Sequence, residues 1–494
     1  MVAAARDIAV IDIGSNSVRL VLYRVEGDAL WPLFNEKTMA GLGKGARERG
    51  TLNPDGIATA LLTLKRFSSL LDARQVTERH AVATAAVREC SDGAEFVARA
   101  EELTGLKITV LEGEEEGRLS AMGVIAGMGD VKGVAGDLGG SSLELARLDG
   151  RDISKVISLP LGPLAVLGVA GDDQKRIRRE IDDALVAASG VFAKSGPDFY
   201  AVGGSWRAFA HLAMALDFYP LNLLHQYELT AAQVARAADF AMSQSEASLA
   251  ATPGVSSKRA ATLGYAAQLL KRVMKQGRFK RAIFSANGLR EGVAFSQCPD
   301  LHVSRDPLIA GAEAMARHAV IEPGFGAALA DWLEPVFQSL PPVFNPARDS
   351  VVRGAAARLS QLGVRMHPDH RAELASTEVL YAPFGGITHP ERAFLALAIH
   401  HRYAGRTQRP ETCPSRRLLD DTGEEAALQL GYALRLGAAL SGGAAALLQS
   451  FRLRRDNGSL VLEVEPGRED LAVERALSRF EALASVLKLK AVLA

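Results

Sequence analysis

Apolar and polar positions recur with two different periods along this chain, and the change between them divides it. Through the first 300 residues, short apolar runs of strand length alternate with segments of helical period. Ile8 to Ile13 and Val18 to Val25 predict two strands joined as a hairpin around Gly14 to Ser17. Asn53-Pro54-Asp55-Gly56 opens a helix through Leu71. His80 to Thr84 predicts a strand, Phe96 to Leu103 a helix and Ile108 to Leu111 a strand. Gly113 to Gly117 reads as a polar loop leading into a helix from Arg118. The pattern then restarts, with strands from Gly133 to Leu138 and from Ser142 to Leu148 around Gly139-Gly140-Ser141. Later strands, Phe199 to Val202 and Ala282 to Phe284, each end in a glycine loop. This punctuation predicts an α/β fold.

After about Leu301 strand signals become sparse, and Ala/Leu/Arg helical periodicity dominates to Gln449. Ser459 to Glu465 alternates like a late strand, and Leu471 to Leu487 predicts a final helix. The expected domains are therefore 1–125, 126–300 and a mostly helical 301–494. A length of 494 residues exceeds what one core ordinarily supports.

Composition narrows the setting. Hydrophobic residues at 48% with 23% charged describe a globular chain rather than a disordered one. Cys90, Cys298 and Cys413 lie far apart, which makes neither a metal-ligand spacing nor a disulfide framework. A reducing, cytoplasmic setting is expected from that. Arg6 is followed directly by a strand, without the apolar region of a leader. No apolar run reaches the ~20 residues of a membrane span; the nearest, Ala426 to Gln449, is broken by Gln429, Arg435 and glycines and reads as a buried helix. The 57 basic and 57 acidic residues cancel, so no global field attracts nucleic acid or another polyanion. An anionic ligand must be gripped locally. Arg416-Arg417 and Arg452, Arg454, Arg455 are small basic clusters, each also readable as a solvated face.

The strongest internal signal is a repeat. Asp12-Ile13-Gly14-Ser15-Asn16-Ser17-Val18-Arg19-Leu20 lies on Asp137-Leu138-Gly139-Gly140-Ser141-Ser142-Leu143-Glu144-Leu145 at a constant offset of 125 residues. Both segments sit at a hairpin turn, and two related halves would bring them face to face across a cleft. Glycines let backbone approach an anion closely, successive N–H groups can converge on it, and the hydroxyls of Ser15, Ser17, Ser141 and Ser142 add donors. One copy would pass as an ordinary turn; two copies with aspartate in the same place point to phosphate.

Candidate chemistry surrounds these loops. Among Glu114-Glu115-Glu116, one carboxylate is a candidate general base; the plainer reading is acidity favoured by a helix start. Asp137 and Glu144 can reach one point beside the second loop, a hard-oxygen pair suited to Mg²⁺. Arg88, after a strand, can aim a planar guanidinium at phosphate. Gly203-Gly204-Ser205 and Asn287-Gly288-Leu289-Arg290-Glu291-Gly292 follow strand ends, where open α/β sheets bind ligands.

Taken in order, these segments resemble the exopolyphosphatase and guanosine-pentaphosphate phosphohydrolase family. The segments are Asp12 to Ser17, Thr84-Ala85-Ala86-Val87-Arg88, Gly113 to Arg118, Gly136 to Glu144 and Gly288 to Gly292. The resemblance implies duplicated actin-like, ribonuclease-H-like halves, 1–125 and 126–300, with the site between them. It implies Mg²⁺-dependent release of orthophosphate from the end of inorganic polyphosphate. It assigns Glu116, before Gly117-Arg118, as catalytic, Arg88 as the substrate-holding arginine, and Asp137 and Glu144 as metal and phosphate positions. Gly14, Ser15, Asn16, Ser17, Arg19, Gly139, Gly140, Ser141, Ser142, Gly204 and Ser205 are the expected substrate contacts. The second loop departs from the family's Gly-Gly-Gly-Ser-Thr-Glu: Ser141 replaces a glycine, and Leu143 removes a hydroxyl.

Long family members carry a helical domain similar to His-Asp metal-dependent phosphohydrolases. Here Leu359-Ser360-Gln361-Leu362-Gly363 stands where the His-acid pair is expected, although His367, His370, His389, His400 and His401 remain nearby. The domain thus resembles a degenerate copy. Its expected roles are homodimerisation and substrate guidance, with Arg416 and Arg417 touching a long polyanion. Guanosine pentaphosphate (or tetraphosphate) is an alternative ligand for the same site. An ATPase or sugar kinase of the superfamily and a non-enzymatic polyphosphate or alarmone sensor are the competing classes.

Overall fold

The computed structural model describes residues 5–171, 173–298, 306–317, 319, 322–405 and 414–494; the side chains of Val169 and Arg416 lie outside that description. Two compact units divide the chain, Met1–Ser304 and Arg305–Ala494.

The first unit holds two sheets built on one plan. Strands β1 (Arg6–Ile13), β2 (Val18–Glu26), β3 (Ala29–Thr38), β4 (Glu78–Ala83) and β5 (Ile108–Val110) lie in the order β3-β2-β1-β4-β5. The second sheet contains β6 (Val131–Leu138), β7 (Leu143–Gly150), β8 (Asp152–Leu159), β9 (Asp198–Val202), β10 (Tyr227–Thr230) and β11 (Arg281–Phe284), ordered β10-β11-β9-β6-β7-β8. In each, an antiparallel meander of three strands is continued from its first strand by two parallel ones. The repeat seen in nine residues of sequence therefore extends to whole sheets, with β10 as an added edge.

Strand alternation explains why the central strands are apolar throughout. Ala9, Ile11 and Ile13 pack on one face of the first sheet with Leu64, Phe67 and Phe96. Ile8 and Val10 pack on the other with Leu119, Val293 and Phe295. The helices Gly113–Met128 and Leu289–Ser296 thus cover the first sheet, while Val124 and Ile125 of the former also pack on Ala135, Ala146 and Tyr200 of the second. These helices meet backbone to backbone: a Cβ at Gly292 would lie 1.7 Å from the Leu119 carbonyl oxygen, and one at Gly123 2.0 Å from that of Gly288.

Two differences from the sequence expectations bear on the site. Gly113 to Gly117 is not a loop but the first turn of the helix Gly113–Met128. Three glutamates there meet the positive end of the helix, which stabilises a turn that their mutual repulsion would disfavour elsewhere. Strands β3, β8 and β10 were not signalled, because β3 and β8 alternate weakly and lie at sheet edges.

The second unit is mostly helical. Its longer helices are Pro307–Ala316, Phe325–Phe337, Pro346–Leu359, Arg371–Tyr381, His389–Ala404, Asp421–Ser441 and Glu474–Val486. A small sheet, β12 (Phe451–Asp456), β13 (Ser459–Val464) and β14 (Lys490–Leu493), adds two unsignalled strands to the expected one. The final helix begins at Glu474, after a 3-10 turn at Glu469–Leu471, rather than at Leu471. The stretch Ala426 to Gln449 is a partly buried helix to Ser441 and a short one at Ala445–Leu448. Among the described residues no helix is long and apolar enough to cross a membrane.

Candidate active site

The two Gly/Ser loops have one geometry. Gly14 N–H donates to the Ser17 carbonyl at 3.0 Å, and Gly139 N–H donates to the Ser142 carbonyl at 3.0 Å. The residues flanking each turn pair across the hairpin, Asp12 with Arg19 and Asp137 with Glu144. The loops also touch: Ser141 Oγ donates to Ser15 Oγ at 3.0 Å. Their carbonyls are tied back into the protein. Those of Ser15 and Asn16 accept from Gly43 and Gly41, and those of Gly140 and Ser141 accept from Leu164 and Gly162. Among the described residues the N–H groups of Ser15, Asn16, Gly140 and Ser141 donate to no other backbone group. A loop with engaged carbonyls and free amides is an anion cradle, and here two cradles share one cleft.

Carboxylates gather on one side of that cleft. Glu116, in the first turn of its helix, is only 8% exposed. Arg88, from the short helix Ala85–Glu89 that follows β4, donates from Nη1 to Glu116 Oε2 at 3.3 Å and to the Leu111 carbonyl at 2.6 Å. Ser158 Oγ donates to Glu144 Oε1 at 2.8 Å, and Ser120 Oγ donates to Asp137 Oδ2 at 2.6 Å. Gly113 and Gly117 let this helix start lie against the second sheet. A Cβ at Gly113 would fall 2.6 Å from Ser158 Cβ, and one at Gly117 would fall 2.7 Å from Val156 Cγ1 and 3.1 Å from Glu144 Cβ.

Packing carboxylates together out of water makes protons harder to remove. Burial, then the charges of Glu144 and Asp137, push the Glu116 carboxyl well above its ordinary range, with Arg88 opposing them. Burial raises Glu144 to about 7 despite hydrogen bonds from Ser142 and Ser158. Burial also raises Asp137, partly offset by Ser120.

The cleft also carries cations. Arg19, Lys37, Arg207, Lys258, Arg259 and Arg290 line it. Burial, then neighbouring arginines, lowers Arg19 to about 10 and Lys37 to about 8. Burial lowers Arg290 too, but Glu291 and Asp12 more than offset it, and Asp12 Oδ2 accepts from Arg290 Nη1 at 2.9 Å.

The structure thus brings Gly14, Ser15, Asn16, Ser17, Arg19, Glu116, Asp137, Gly139, Gly140, Ser141, Ser142, Glu144 and Gly204 to one cleft. Arg88 stands behind Glu116. Ser205 is buried behind Gly204, where its Oγ accepts from Arg259 Nη1 at 3.1 Å. Arg417 is exposed on a short helix, Ser415–Leu418, of the second unit, and the Arg416 side chain lies outside the described residues. His389, His400 and His401 are buried along one helix of that unit. Among the described residues no group of three or more His, Cys, Asp or Glu side chains is arranged to hold a metal by itself.

Sequence reasoning missed Lys37, Arg207, Lys258 and Arg259. Arg207 lies two residues after the Gly203-Gly204-Ser205 motif, in the first turn of the same helix, so that motif held a usable signal. Lys37 pairs with Arg19 across β2 and β3, which requires knowing β3. Lys258 and Arg259 open the helix Ser257–Gly277, and nothing local marks them. Arg290 belonged to a noted motif without being assigned a contact.

A family model described as the Ppx/GppA phosphatase family matches residues 20–301, and one described as exopolyphosphatase, C-terminal, matches residues 308–493. The solved Ppx/GppA family member from Aquifex aeolicus is 26% identical, with a TM-score of 0.54, covering 61% of this chain and 100% of that one. An exopolyphosphatase from Cytophaga hutchinsonii is 24% identical with a TM-score of 0.56, covering 60% of this chain and 98% of that one, a likeness of fold.

Proposed function

Because this chain belongs to the Ppx/GppA phosphatase family, we propose that it is an exopolyphosphatase, releasing orthophosphate from the end of inorganic polyphosphate. The observation carrying this reading is the buried Glu116 carboxyl beside two facing anion cradles.

The loop amides and serine hydroxyls bind the terminal phosphoryl group and orient it. Glu116 accepts a proton from the attacking water, and Arg88 holds that carboxylate in place. Arg19, Arg207 and Arg290 balance negative charge as it spreads over the phosphoryl oxygens. Asp137 and Glu144 form a pair of hard oxygen donors whose proton affinities are raised chiefly by burial, and such a pair fits a divalent cation. Magnesium ordinarily uses one or two carboxylates and completes its shell with water and substrate phosphate, so a larger protein cage is not needed. Asp137 and Glu144 would hold it, and it would neutralise charge on the phosphoryl group.

A polyphosphate chain suits the cleft better than a nucleotide does. Six cationic side chains line it, and among the described residues no aromatic ring is there to stack on a base. The test is phosphate release by the purified protein with Mg²⁺ on long polyphosphate, tripolyphosphate, guanosine pentaphosphate and ATP. Long polyphosphate should be the best substrate. Faster turnover of guanosine pentaphosphate or ATP would overturn the assignment.

A further inference from the structure

The second unit contains a set of cations that the cleft chemistry does not use. Arg371 opens the helix Arg371–Tyr381, and Arg402 and Tyr403 lie in the last turn of His389–Ala404. Arg435 comes from Asp421–Ser441, and Arg475 and Arg479 from Glu474–Val486. Four helices therefore deliver guanidinium groups to one place. The Arg402 and Arg371 guanidinium carbons lie 4.8 and 5.3 Å from the Tyr403 ring centroid. Arg479 Nη1 reaches the Arg435 carbonyl at 3.5 Å, and a Cβ at Gly405, just after Tyr403, would lie 2.6 Å from Arg435 Nη1.

This arrangement is costly unless something relieves it. Among the described residues none of the five guanidinium groups forms an ion pair. Arg402 is partly buried, and its Nε, itself buried, has no hydrogen-bond partner. Burial and the charges of Arg479, Arg435 and Arg371 lower it to about 10, so it stays charged at neutral pH. Arg475 and Arg479 stand at i and i+4, where like charges repel. The Tyr403 ring face and the C-terminal end of the Arg402 helix compensate only part of this. Elsewhere in the same unit Arg348 pairs with Asp306 and Glu391, and Arg353 with Glu334, while the buried Arg392 donates to the carbonyls of Leu380, Ala382 and Phe384.

We propose that Arg371, Arg402, Arg435, Arg475 and Arg479, grouped around Tyr403, form a second anion site that takes a compact oligophosphate group. Five planar donor forks exceed what one carboxylate can satisfy, and they match several adjacent phosphate oxygens. The oligophosphate can be inorganic or the phosphate end of a nucleotide. The site lies wholly within the second unit and does not depend on the cleft's chemistry.

Hydrogen exchange on the full-length protein tests this, with tripolyphosphate and ATP as separate probes and sodium chloride matched for ionic strength. Protection is expected in peptides covering Arg402–Tyr403 and Arg475–Arg479 with at least one probe. The probe that protects identifies the source of the phosphate. In the double variant Arg475→Glu, Arg479→Glu, affinity read from those peptides should fall roughly tenfold or more, while protection at the Gly/Ser loops persists. Should that variant not fold by circular dichroism, Arg475→Gln alone should show a smaller loss in the same peptides. Absence of protection with both probes, or protection unchanged in a folded variant, overturns the proposal. Loss of protection at the Gly/Ser loops alone would count against the cleft assignment instead.

Discussion

Ser141 Oγ donates a hydrogen bond to Ser15 Oγ at 3.0 Å, joining the tips of the two loops through residues 126 positions apart in sequence. The contact registers one cradle against the other, so both sets of amides can face a single phosphoryl group. Ser141→Ala should loosen that registry while leaving the backbone turns intact. We expect KM for tripolyphosphate to rise several-fold, in line with about 1 kcal/mol for one hydrogen bond, with little change in thermal stability. Steady-state kinetics and a melting curve measure both.

Glu116→Gln removes the proposed proton acceptor but keeps its volume. Turnover should fall by roughly 10² to 10⁴, with the fold and polyphosphate binding retained. In the wild type, kcat/KM should climb with pH along a limb lying above the ordinary carboxylate range, since burial and the neighbouring carboxylates hold the Glu116 proton on and the base must shed it. Near-normal phosphate release by the glutamine variant would remove Glu116 from the mechanism.

Glu144 makes a prediction about stability. Its folded carboxyl is raised to about 7 from 4.5, so the folded state holds this proton more tightly than the unfolded chain does. Its effect on stability is therefore neutral below about 4.5, turns increasingly unfavourable as pH rises, and levels off above about 7. Without divalent cations, Glu144→Gln should be more stable than wild type at pH 8, by roughly 3 kcal/mol, and the gap should close toward pH 4.5. Adding Mg²⁺ should raise the melting temperature of the wild type and not of the variant. Denaturant titrations across pH, with and without Mg²⁺, decide it.

Lys37 should set an alkaline limb on substrate binding. Burial and the charges of Arg259, Arg19 and Arg290 lower its ammonium to about 8, so it begins to lose charge just above neutrality. KM for polyphosphate should rise as pH passes about 8. Lys37→Met should raise KM at neutral pH and flatten that limb. A limb of unchanged position in the variant would assign it to another group.

How much of this was legible in sequence depended on whether a residue's role was local. The hairpins β1–β2 and β6–β7, and the loops between them, were readable because each is a short apolar run interrupted by Gly and Ser. Their juxtaposition was readable because the loop recurs at a fixed offset. Lys258 and Arg259 were not readable: they reach the cleft only because their helix packs on Trp206 and the second-sheet core. The arginines around Tyr403 come from four helices and carry no common motif. Gly113 and Gly117 misled for a physical reason. Two glycines four residues apart look like loop residues, yet here they let a helix press against β7 and β8.

That close approach gives the sharpest structural test. A methyl at residue 117 would meet Val156 Cγ1 at 2.7 Å and Glu144 Cβ at 3.1 Å, closer than packed side chains tolerate. Gly117→Ala raises intrinsic helix propensity, and on an uncrowded helix it would stabilise by up to ~1 kcal/mol. Here it must push the helix start away from β7, and overpacking of this kind typically costs about 1–3 kcal/mol. Glu116 is the adjacent residue, so the same displacement moves the proposed base relative to the loops. We expect a lower melting temperature and a fall in kcat larger than the change in KM, because the cradles themselves are untouched. Trimming the obstruction with Val156→Ala in the same chain should restore part of both. Full activity and raised stability in Gly117→Ala would show that the helix start is free to shift and that the position of Glu116 is not fixed by this contact.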